Sequence, residues 1–438
     1  DVAATTIHSC IYVLERIEVN ETASDPNDPG IRMVFPLKEV EPTVALYIID
    51  ESSMLGDKKA HGDYIQFGSG RILKDIVSFC RLRRTGREDD RVTKLLFVGD
   101  PAQLPPIGED FSPALSAEYL SSEYGLETSV FDLDRVMRQA EESTILERAT
   151  EIRRAISAET FNSFSLAAGG NDIVEVDERQ ALDIIERGLT KKSSSVVVVH
   201  SNASALEYNR SIRARLWGNA DLPIQEHDIL LVNRNSASSG LRNGDLVKVM
   251  QVDPEPESVI VPVRGSGSVE LRFRSAEVAF REYDGSVVKL GCFLLENLLE
   301  SPNRELSPLE QRALLIHFRN RHPGLHVKSD EFRQLVRQDP YFNALQVKYG
   351  YAMTCHKAQG GEWDTVVVDF SNGGGVRNAS FFRWAYTAIT RASKNLVVIR
   401  PPEFDVIDVD MWGEVTGARS ATHALTAQAQ ETDPDWHR

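Results

Sequence analysis

Short runs of apolar residues recur along the chain, and two of them end in acidic or glycine residues. The first is Leu46-Tyr-Ile-Ile-Asp50-Glu51, and the second is Leu95-Leu-Phe-Val-Gly99. Each run is too short for a helix, which predicts a strand of a parallel sheet that is buried on both faces. Because such sheets bind ligands beyond the carboxyl ends of their strands, the residues that follow each run are expected at a binding edge.

Three further runs of β-branched residues predict a second α/β lobe. These runs are Val196-Val-Val-Val-His200, Thr365-Val-Val-Val-Asp-Phe370 and Asn395-Leu-Val-Val-Ile-Arg400. Their composition is typical of strands in a buried parallel sheet.

An amphipathic helix is predicted between the two groups of strands. Thr144-Ile-Leu-Glu147 fits a capping box at its start. Its apolar face would consist of Ile145, Ala149, Ile152 and Ile156. We expect this helix to pack on a core and to carry no chemistry.

Strand-like runs alternate with turns from residue 233 to residue 346, which predicts a small β-barrel inserted into the second lobe. The runs are Leu246 to Val252, Val259 to Val263, Val269 to Phe273 and Val287 to Leu295. A helix is predicted later in the insertion, where Ser307 and Glu310 fit a capping box around Pro308. The predicted division is 1–138 for the first lobe, 139–232 for the start of the second, 233–346 for the insertion, 347–402 for the rest of the second lobe, and 403–438 for a tail.

Composition narrows the class of protein. The chain has 438 residues, enough for several domains, and four cysteines that have neither zinc-ligand spacing nor the density of a disulfide scaffold. This favours a reducing compartment, with the cytoplasm as the expected location. There is no apolar stretch long enough to cross a bilayer and no signal-peptide pattern at the start, so no membrane partner is expected. The formal charge of -16 argues against a protein that coats nucleic acid, but a local groove can still be positive.

Asp50 and Glu51 are adjacent carboxylates at a predicted strand end. In a nucleoside triphosphatase the first acid would hold Mg²⁺, usually through water, and the second would orient or deprotonate the attacking water. An acidic turn after a core strand is the alternative for these two residues alone. The long and unusual segment Gly99-Asp-Pro-Ala-Gln103-Leu-Pro-Pro106 after the second strand favours the nucleotide interpretation.

A hydroxyl, an imidazole and an ammonium group are close together in Thr354-Cys-His356-Lys357. These groups bind phosphate oxygens through hydrogen bonds and charge, and Gly360 and Gly361 permit a close backbone approach. The pattern predicts a loop that faces an anion. A solvated polar loop is the alternative.

Arginines near the predicted strand ends are candidates for charge neutralisation. Arg391 precedes the last strand, and Arg138 lies at the lobe junction, with Arg135 close enough to make that choice uncertain. An arginine finger neutralises charge on a γ-phosphoryl group during its transfer. A surface or salt-bridge role is the usual alternative for a lone arginine.

The order of these segments resembles that of superfamily 1 helicases, and most closely the superfamily 1B branch of RecD-like and Dda-like DNA helicases. The matching segments are Thr6-Ile-His8-Ser9, Asp50-Glu51, Gly99-Asp-Pro-Ala-Gln103, Met137-Arg138-Gln139, Thr354-Cys-His356-Lys357-Ala-Gln359-Gly360 and Tyr386-Thr-Ala-Ile-Thr-Arg391. Leu241 to Val249 also resembles the opening of the small barrel that this branch inserts into its second motor lobe. The resemblance implies an α/β fold with two RecA-like motor lobes and this barrel.

The resemblance also implies ATP and Mg²⁺ as cofactors, with roles for particular residues. Asp50 would hold Mg²⁺, Glu51 would act on the attacking water, and Gln103 would sense the γ-phosphate. Arg138 and Arg391 would neutralise transition-state charge. The remaining nucleotide contacts would come from Gly360 and from Glu362, which matches the position that contacts the ribose.

A further set of positions matches those that face single-stranded nucleic acid in the family: His8, Ser9, Thr354, His356 and Lys357. Such contacts are mainly to the backbone and largely independent of sequence. The expected partner is single-stranded DNA, or duplex DNA with a 5′ single-stranded tail, along which this branch moves 5′ to 3′. DNA repair or recombination is the expected setting. The sequence identifies no protein partner.

One motif of the family is missing. The phosphate-binding loop Gly-x-x-x-x-Gly-Lys-Ser/Thr should precede Thr6, and nothing like it is found in the 438 residues. Gly373-Gly-Gly375 lacks the Lys and the Ser/Thr and is no substitute. We therefore expect this chain to hydrolyse ATP poorly or not at all, and to be an amino-truncated piece of an active motor. An ATPase-dead nucleic-acid-binding or scaffold protein, or an RNA-directed superfamily 1 helicase, are the alternatives.

A helicase that separates strands needs a wedge, and a small insertion after residue 106 that includes Phe111 is one candidate. A core position is the alternative for Phe111, because apolar aromatic residues are usually buried. Trp363 and Trp384 lie near the motifs. Packing in a core and stacking on a base are the two alternatives for these tryptophans.

Overall fold

The computed structural model of the chain describes residues 5–19, 31–39, 45–59, 65–80, 82, 93–133, 143–167, 172–191, 193–236, 239–282, 285–326, 329–371 and 375–405. Within them, strands alternate with helices in both halves of the chain. An inserted β-barrel separates two parts of the second lobe along the chain.

The first lobe contains two small sheets. Its elements are α1 (Ile7–Ile11), β1 (Arg16–Val19), β2 (Ile31–Phe35), β3 (Leu46–Ile49), β4 (Ile65–Phe67), α2 (Ile72–Phe79), β5 (Lys94–Phe97) and α3 (Ala117–Tyr124). Strands β3 and β5 pair in parallel, with Ile49 opposite Phe97. Strands β1, β2 and β4 form the other sheet, in which β1 and β2 are antiparallel and β2 and β4 are parallel. This parallel pairing brings together the carboxyl ends of the acid-bearing run and the glycine-bearing run.

The prediction that β3 and β5 are buried on both faces is wrong. Ile49 is 8% exposed and packs against the core around α2, but Leu46 and Ile48 on the other face are 60% and 62% exposed. Leu96 of β5 lies on the same face and is 46% exposed. An apolar run indicates only that both faces of a strand could be buried. Actual burial also requires another layer of helices or strands to pack on each face.

The second lobe begins with α4 (Thr144–Ser157), β6 (Ile173–Glu175), α5 (Glu178–Thr190), β7 (Ser195–Val199) and α6 (Asn202–Trp217). The inserted region contains β8 (Ile229–Val232), β9 (Leu246–Val252), β10 (Glu257–Val263), β11 (Gly267–Arg281), β12 (Val287–Leu295), α7 (Pro308–Arg321), α8 (Asp330–Gln338) and β13 (Leu345–Tyr349). The lobe then continues with β14 (Ala352–Thr354), α9 (Cys355–Ala358), β15 (Trp363–Asp369), α10 (Ala379–Ile389) and β16 (Ala392–Ile399).

The second lobe is built on a parallel sheet of five strands in the order β14-β7-β15-β16-β6. The three runs predicted as buried strands are β7, β15 and β16. Their central residues, such as Val198, Val367 and Leu396, are no more than 1% exposed, because helices cover both faces of the sheet. The predicted α/β fold class is confirmed.

Helix ends follow local side-chain chemistry. The predicted capping box of Ser307 and Glu310 is present at the start of α7. The capping box predicted for α4 is absent, because the N-cap is Ser143 and not Thr144, and its side chain makes no capping hydrogen bond. The Ser143 hydroxyl donates instead to a carboxylate oxygen of Asp172 at 2.8 Å. The apolar face of α4 is buried as predicted.

The inserted strands form a closed barrel. Strand β9 pairs with both β8 and β11, β11 pairs with β12, and β12 and β8 both pair with β13, so five strands complete a ring. Strand β10 extends this sheet from β11. The ring includes β8 and part of β13, which lie just outside the predicted insertion of residues 233–346.

A buried ion pair joins α6 to the residue just before β8, and Tyr351 of the connection between β13 and β14 bonds to it. Arg213 and Asp228 are both 0% exposed, and their closest side-chain atoms are 3.1 Å apart. Asp228 also accepts hydrogen bonds from the Tyr351 hydroxyl at 2.7 Å and from the Trp217 indole at 3.1 Å. The Arg213 guanidinium lies 4.0 Å from the centre of the Tyr349 ring. This cluster anchors the chain just before Thr354.

Replacement of Asp228 by Ala should therefore destabilise the second lobe strongly. The change leaves the buried Arg213 without its counter-charge, which costs about 3–5 kcal/mol of unfolding free energy. Urea unfolding measures the change. Asp221→Ala is the matched control, because Asp221 forms an exposed pair with Arg210 and its loss should cost about 0–1 kcal/mol. Equal effects of the two substitutions would contradict the assigned role.

Candidate functional site

Two carboxylates lie directly after β3 at the carboxyl edge of the first-lobe pair of strands. The Asp50 side chain is exposed and accepts a hydrogen bond from the Glu51 backbone amide at 2.9 Å. Glu51 has a φ of 50°, in the left-handed region that a residue with a side chain rarely adopts. The next amide, of Ser52, donates to the carbonyl of Val98 at 2.8 Å. The acidic turn is thus held against the end of β5 in a strained conformation of the kind that clusters at functional sites.

The segment after β5 packs closely against this acidic turn. A Cβ atom at Gly99 would lie 2.9 Å from the backbone nitrogen of Ser53, which leaves room for glycine only. Asp100 then closes a turn, since its side chain accepts from the amide of Ala102 at 3.0 Å and its carbonyl from the amide of Gln103 at 3.1 Å. The turn brings Gln103 to the side of the acidic residues.

The same segment docks on helix α10 of the second lobe. The amide of Leu104 donates to the hydroxyl of Thr387 at 2.9 Å, and the hydroxyl of Tyr386 donates to Asp100 at 2.6 Å. Burial and the negative charge of Asp100 raise the pKa of Tyr386, which stays protonated as the donor. Ala102 and Leu104 are 3% and 6% exposed and belong to the second-lobe core. This contact fixes the two lobes relative to each other.

Gln359 connects the chemistry-bearing loops of the two lobes. Its side-chain amide donates to the Gln103 side-chain oxygen at 3.1 Å and to the Ser53 hydroxyl at 3.2 Å. The next residue, Gly360, has a φ of 81°, and a Cβ atom there would lie 3.9 Å from a carboxylate oxygen of Glu51. The structure therefore brings Glu51, Gln103 and Gly360 together across the lobe junction.

Sequence reasoning did not assign roles to Gln359, Tyr386 or Thr387. All three lie inside the motif segments on which the resemblance rests, so the sequence did mark their segments as functional. Their contacts link residues more than 250 positions apart, which no local pattern reports.

The predicted arginines have different outcomes. Arg391 is 2% exposed and donates to the carbonyls of Thr387 at 3.0 Å and Gly361 at 3.1 Å, which ties the loop after α9 to the end of α10. Its contribution to transition-state charge stays a prediction. Arg138 and Arg135 lie outside the described residues. Glu362 is exposed beside this loop, and its ribose contact also stays a prediction.

The residues predicted to face nucleic acid form two groups. In the first lobe, His8 and Ser9 lie on α1, which Thr6 caps by accepting from the Ser9 amide at 3.2 Å. The His8 ring packs edge-on against Phe67 at 4.5 Å between ring centres, and burial lowers the pKa of this imidazole. His8 is therefore a neutral, partly packed side chain, whereas Ser9 is exposed.

The second group lies where the sheet of the second lobe meets the barrel. Thr354 ends β14, and His356 and Lys357 follow on α9. Burial, with a smaller contribution from Arg304, lowers the pKa of His356. Burial, then Arg304 and Lys348, lowers the pKa of Lys357 to about 8. The Lys357 ammonium group donates to the side-chain oxygen of Asn243 in the barrel.

The donor set at the lobe junction suits a magnesium ion held partly by other ligands. Asp50 and Glu51 offer carboxylate oxygens, the ligands that Mg²⁺ prefers. No group of three or more His, Cys, Asp or Glu side chains in the described ranges could hold a metal by itself. Mg²⁺ commonly completes its shell with water and nucleotide phosphates, so two adjacent carboxylates fit it.

The wedge candidate and the two tryptophans are placed as follows. Phe111 is 41% exposed and lies edge-on to Tyr119 at 5.4 Å. Trp384 is 5% exposed and stacks on His200, so it packs in the core, while Trp363 is partly buried. A wedge function for Phe111 stays a prediction.

Residues 349–399 match the family model of the UvrD-like helicase C-terminal domain. The match confirms the resemblance to superfamily 1 helicases over the segment that contains Thr354, Gln359 and Arg391. No curated protein sequence matches the chain at a significant level.

Among solved structures, the chain is similar to Pif1 helicases. Pif1 helicase from Bacteroides in complex with ADP-AlF3 and single-stranded DNA is 14% identical, with a TM-score of 0.34 over 86% of this chain and 75% of that chain. Bacteroides Pif1 bound to single-stranded DNA is 13% identical, with a TM-score of 0.38 over 86% and 76%. Pif1 helicase from Candida albicans is 15% identical, with a TM-score of 0.35 over 84% and 76%. Separately, no helix in the described part of the chain is long and apolar enough to span a membrane.

Thr387→Val should weaken the docking of the two lobes. The substitution keeps the shape of the side chain but removes the acceptor for the Leu104 amide, and an unsatisfied buried amide costs about 1–3 kcal/mol. Urea unfolding measures the loss. Thr150→Val is the control, because the Thr150 hydroxyl only donates to a carbonyl one turn earlier in α4, and its removal should change stability by about 0.5 kcal/mol or less. A stability of the Thr387 variant equal to that of the parent would contradict the docking role.

Proposed function

We propose that this chain is the motor region of an ATP-dependent DNA helicase or translocase of the superfamily 1B type, which moves 5′ to 3′ on single-stranded DNA. ATP with Mg²⁺ would bind at the lobe junction. DNA would contact His8 and Ser9 of the first lobe and Thr354, His356 and Lys357 of the second. Binding of ATP would close the junction and hydrolysis would reopen it.

The contact of Gln359 with Gln103 and Ser53 is the observation that carries this proposal. An ATP-driven motor requires residues of two lobes to meet at one nucleotide, so that the state of the nucleotide controls the distance between the lobes. Here an amide of the second lobe already bonds to the segment beside the acidic pair of the first. A purely structural junction would not need the strained Glu51 at the same place.

Each residue has one proposed role at the junction. Asp50 holds Mg²⁺, and Glu51 orients or deprotonates the attacking water. Gln103 senses the γ-phosphate, and Arg138 and Arg391 neutralise its developing charge. Gly360 and Glu362 contact the nucleotide. The family match over residues 349–399 supports the part of this assignment that lies in the second lobe.

The main rival is a nucleic-acid-binding or scaffold protein without ATPase activity. It is favoured by one observation, the lack of Gly-x-x-x-x-Gly-Lys-Ser/Thr in the 438 residues. That loop supplies backbone amides, a Lys and a Mg²⁺-binding hydroxyl to the triphosphate. The 438 residues alone are therefore proposed to hydrolyse ATP slowly or not at all.

The decisive measurement is ATP hydrolysis by the product of the complete reading frame, with and without short single-stranded DNA. The motor proposal expects turnover that DNA stimulates and that Glu51→Gln lowers by about a hundredfold or more, since the amide cannot act as a base. Glu118→Gln is the control, because Glu118 is an exposed carboxylate on α3 with no proposed role in nucleotide binding. Retained DNA binding without turnover, or a reading frame without the phosphate-binding loop, would favour the scaffold.

Direction and substrate are tested with tailed duplexes. A superfamily 1B DNA helicase should unwind DNA with a 5′ single-stranded tail and leave DNA with a 3′ tail intact. The matching RNA duplex separates an RNA-directed enzyme from a DNA-directed one. Cytoplasmic location and a role in DNA repair or recombination remain part of the proposal.

A further inference from the structure

The side-chain amide of Gln359 fixes the orientation of a second amide, that of Gln103, at the lobe junction. A glutamine amide can present either its oxygen or its amino group to a given side, and its hydrogen-bond partners select between the two. The Gln359 amino group donates to the Gln103 side-chain oxygen at 3.1 Å. It also donates to the Ser53 hydroxyl at 3.2 Å and to the main-chain carbonyl of Leu104 at 3.5 Å. Three acceptors therefore surround one amino group.

The carbonyl of Leu104 decides which end of Gln359 faces this cluster. A carbonyl only accepts hydrogen bonds, whereas a hydroxyl or a glutamine amide can donate or accept. A reversed Gln359 would place its own oxygen against that carbonyl. Leu104 is held in place, because its amide bonds to Thr387 and its side chain lies in the second-lobe core. Gln359 therefore presents its amino group, and not its oxygen, to Gln103.

This bond leaves the amino group of Gln103 for another partner. That amino group forms no hydrogen bond with another described residue, and the Gln103 side chain is only partly buried. An amino group donates to phosphate oxygens, whereas the oxygen of the same amide would repel them. Sensing of a γ-phosphate by Gln103 thus requires the orientation that Gln359 imposes.

The side-chain oxygen of Gln359 is itself incomplete. It is buried and accepts no hydrogen bond from a described residue. A buried acceptor without a donor is costly, so a glutamine that only held the lobes together would be expected to bond through both of its ends. Its chain neighbour Gly360 lies beside Glu51, the residue proposed to act on the attacking water. A water or ligand at the junction can supply the missing donor.

We propose that Gln359 is a positioning residue for ATP hydrolysis, which turns the amino group of Gln103 towards the γ-phosphate. The inference rests on the proposed function and adds to it the group that orients the phosphate sensor. Because Gln359 belongs to the second lobe and Gln103 to the first, the sensor is oriented only while the lobes are in contact. A nucleoside diphosphate has no γ-phosphate, so its binding does not depend on this orientation.

The first test measures two properties of the product of the complete reading frame: ATP hydrolysis with single-stranded DNA, and affinity for the fluorescent analogue mant-ADP. Gln359→Leu keeps the approximate volume of the side chain but removes the donor. It should lower kcat about tenfold to a hundredfold, as expected for a lost hydrogen bond to a charged group. The affinity for mant-ADP should change less than about twofold. A glutamine with a merely structural role would lower both.

Gln311→Leu is the matched control. Gln311 is also partly buried and also donates through its side-chain amide to a main-chain carbonyl, that of Leu306 at 3.0 Å. It lies at the start of α7 in the inserted region and has no proposed role in hydrolysis. Its replacement should change kcat less than about twofold. An equal loss of kcat in the two variants would overturn the assignment.

The second test asks whether Gln359 acts through Gln103. Gln103→Ala alone should lower kcat by a similar factor. Adding Gln359→Leu to that variant should lower kcat less than about twofold further, because two residues that act through one contact are not additive. Losses that multiply would show that the two residues act separately, and they would overturn the proposal.

Ser53→Ala provides a milder variant if Gln359→Leu does not fold. It keeps both glutamines and removes one acceptor of the Gln359 amino group. We expect kcat to fall about twofold to tenfold, as for one neutral hydrogen bond, with the affinity for mant-ADP unchanged. The fall should disappear when Gln103 is already replaced by Ala. An unchanged kcat in Ser53→Ala would contradict the positioning role.

The outcomes separate this proposal from the proposed function. If the product of the complete reading frame does not hydrolyse ATP, the proposed function fails and the role of Gln359 fails with it. If it hydrolyses ATP and Gln359→Leu keeps kcat, the positioning role is overturned while the proposed function stands. A loss of kcat that leaves mant-ADP binding intact and depends on Gln103 supports both.

Discussion

The docking of the loop after β5 onto helix α10 is the contact on which the candidate site depends. Leu104 inserts into the second-lobe core, and its amide is bonded to Thr387. Because a buried amide without a partner is costly, this bond selects one position of the loop on the helix. Asp100 and Tyr386 form a second bond beside it, so the loop is held at two points. Gln103 projects from between these points, and it can meet Gln359 only because the lobes are fixed in this way.

Charge is distributed unevenly over this protein. The chain is acidic as a whole, yet cations without counter-ions among the described residues collect where the second lobe meets the barrel. The buried pair of Arg213 and Asp228 lies beside this junction and fully satisfies its own charges. This pair shows that the fold supplies a counter-charge to a buried charge that has only a structural role. Lys348 and Lys357 are only partly buried, and they donate to a carbonyl and an amide oxygen with no such counter-charge among the described residues.

The sequence by itself determined those features that depend on neighbours along the chain. The β-branched runs of β7, β15 and β16 were recognisable because an apolar strand bounded by polar turns is a local pattern. The capping box of Ser307 and Glu310 was equally local, since its hydrogen bonds span three residues. The positions of Asp50 and Glu51 at a strand end followed from the same pattern, and so did the order of the motifs that resembles a helicase.

Only the tertiary structure decided which of these residues meet and which surfaces are covered. Leu46 and Ile48 are exposed although their run is as apolar as a core strand, because burial requires another layer on that face. The barrel closes through β8 and β13, whose pairing joins segments that are more than a hundred residues apart. The bridge of Gln359 and the bond of Lys348 to the carbonyl of Ser301 are likewise properties of two or more distant segments. A local pattern reports the propensity of a segment, whereas contact, burial and charge balance are set by whatever the rest of the chain brings beside it.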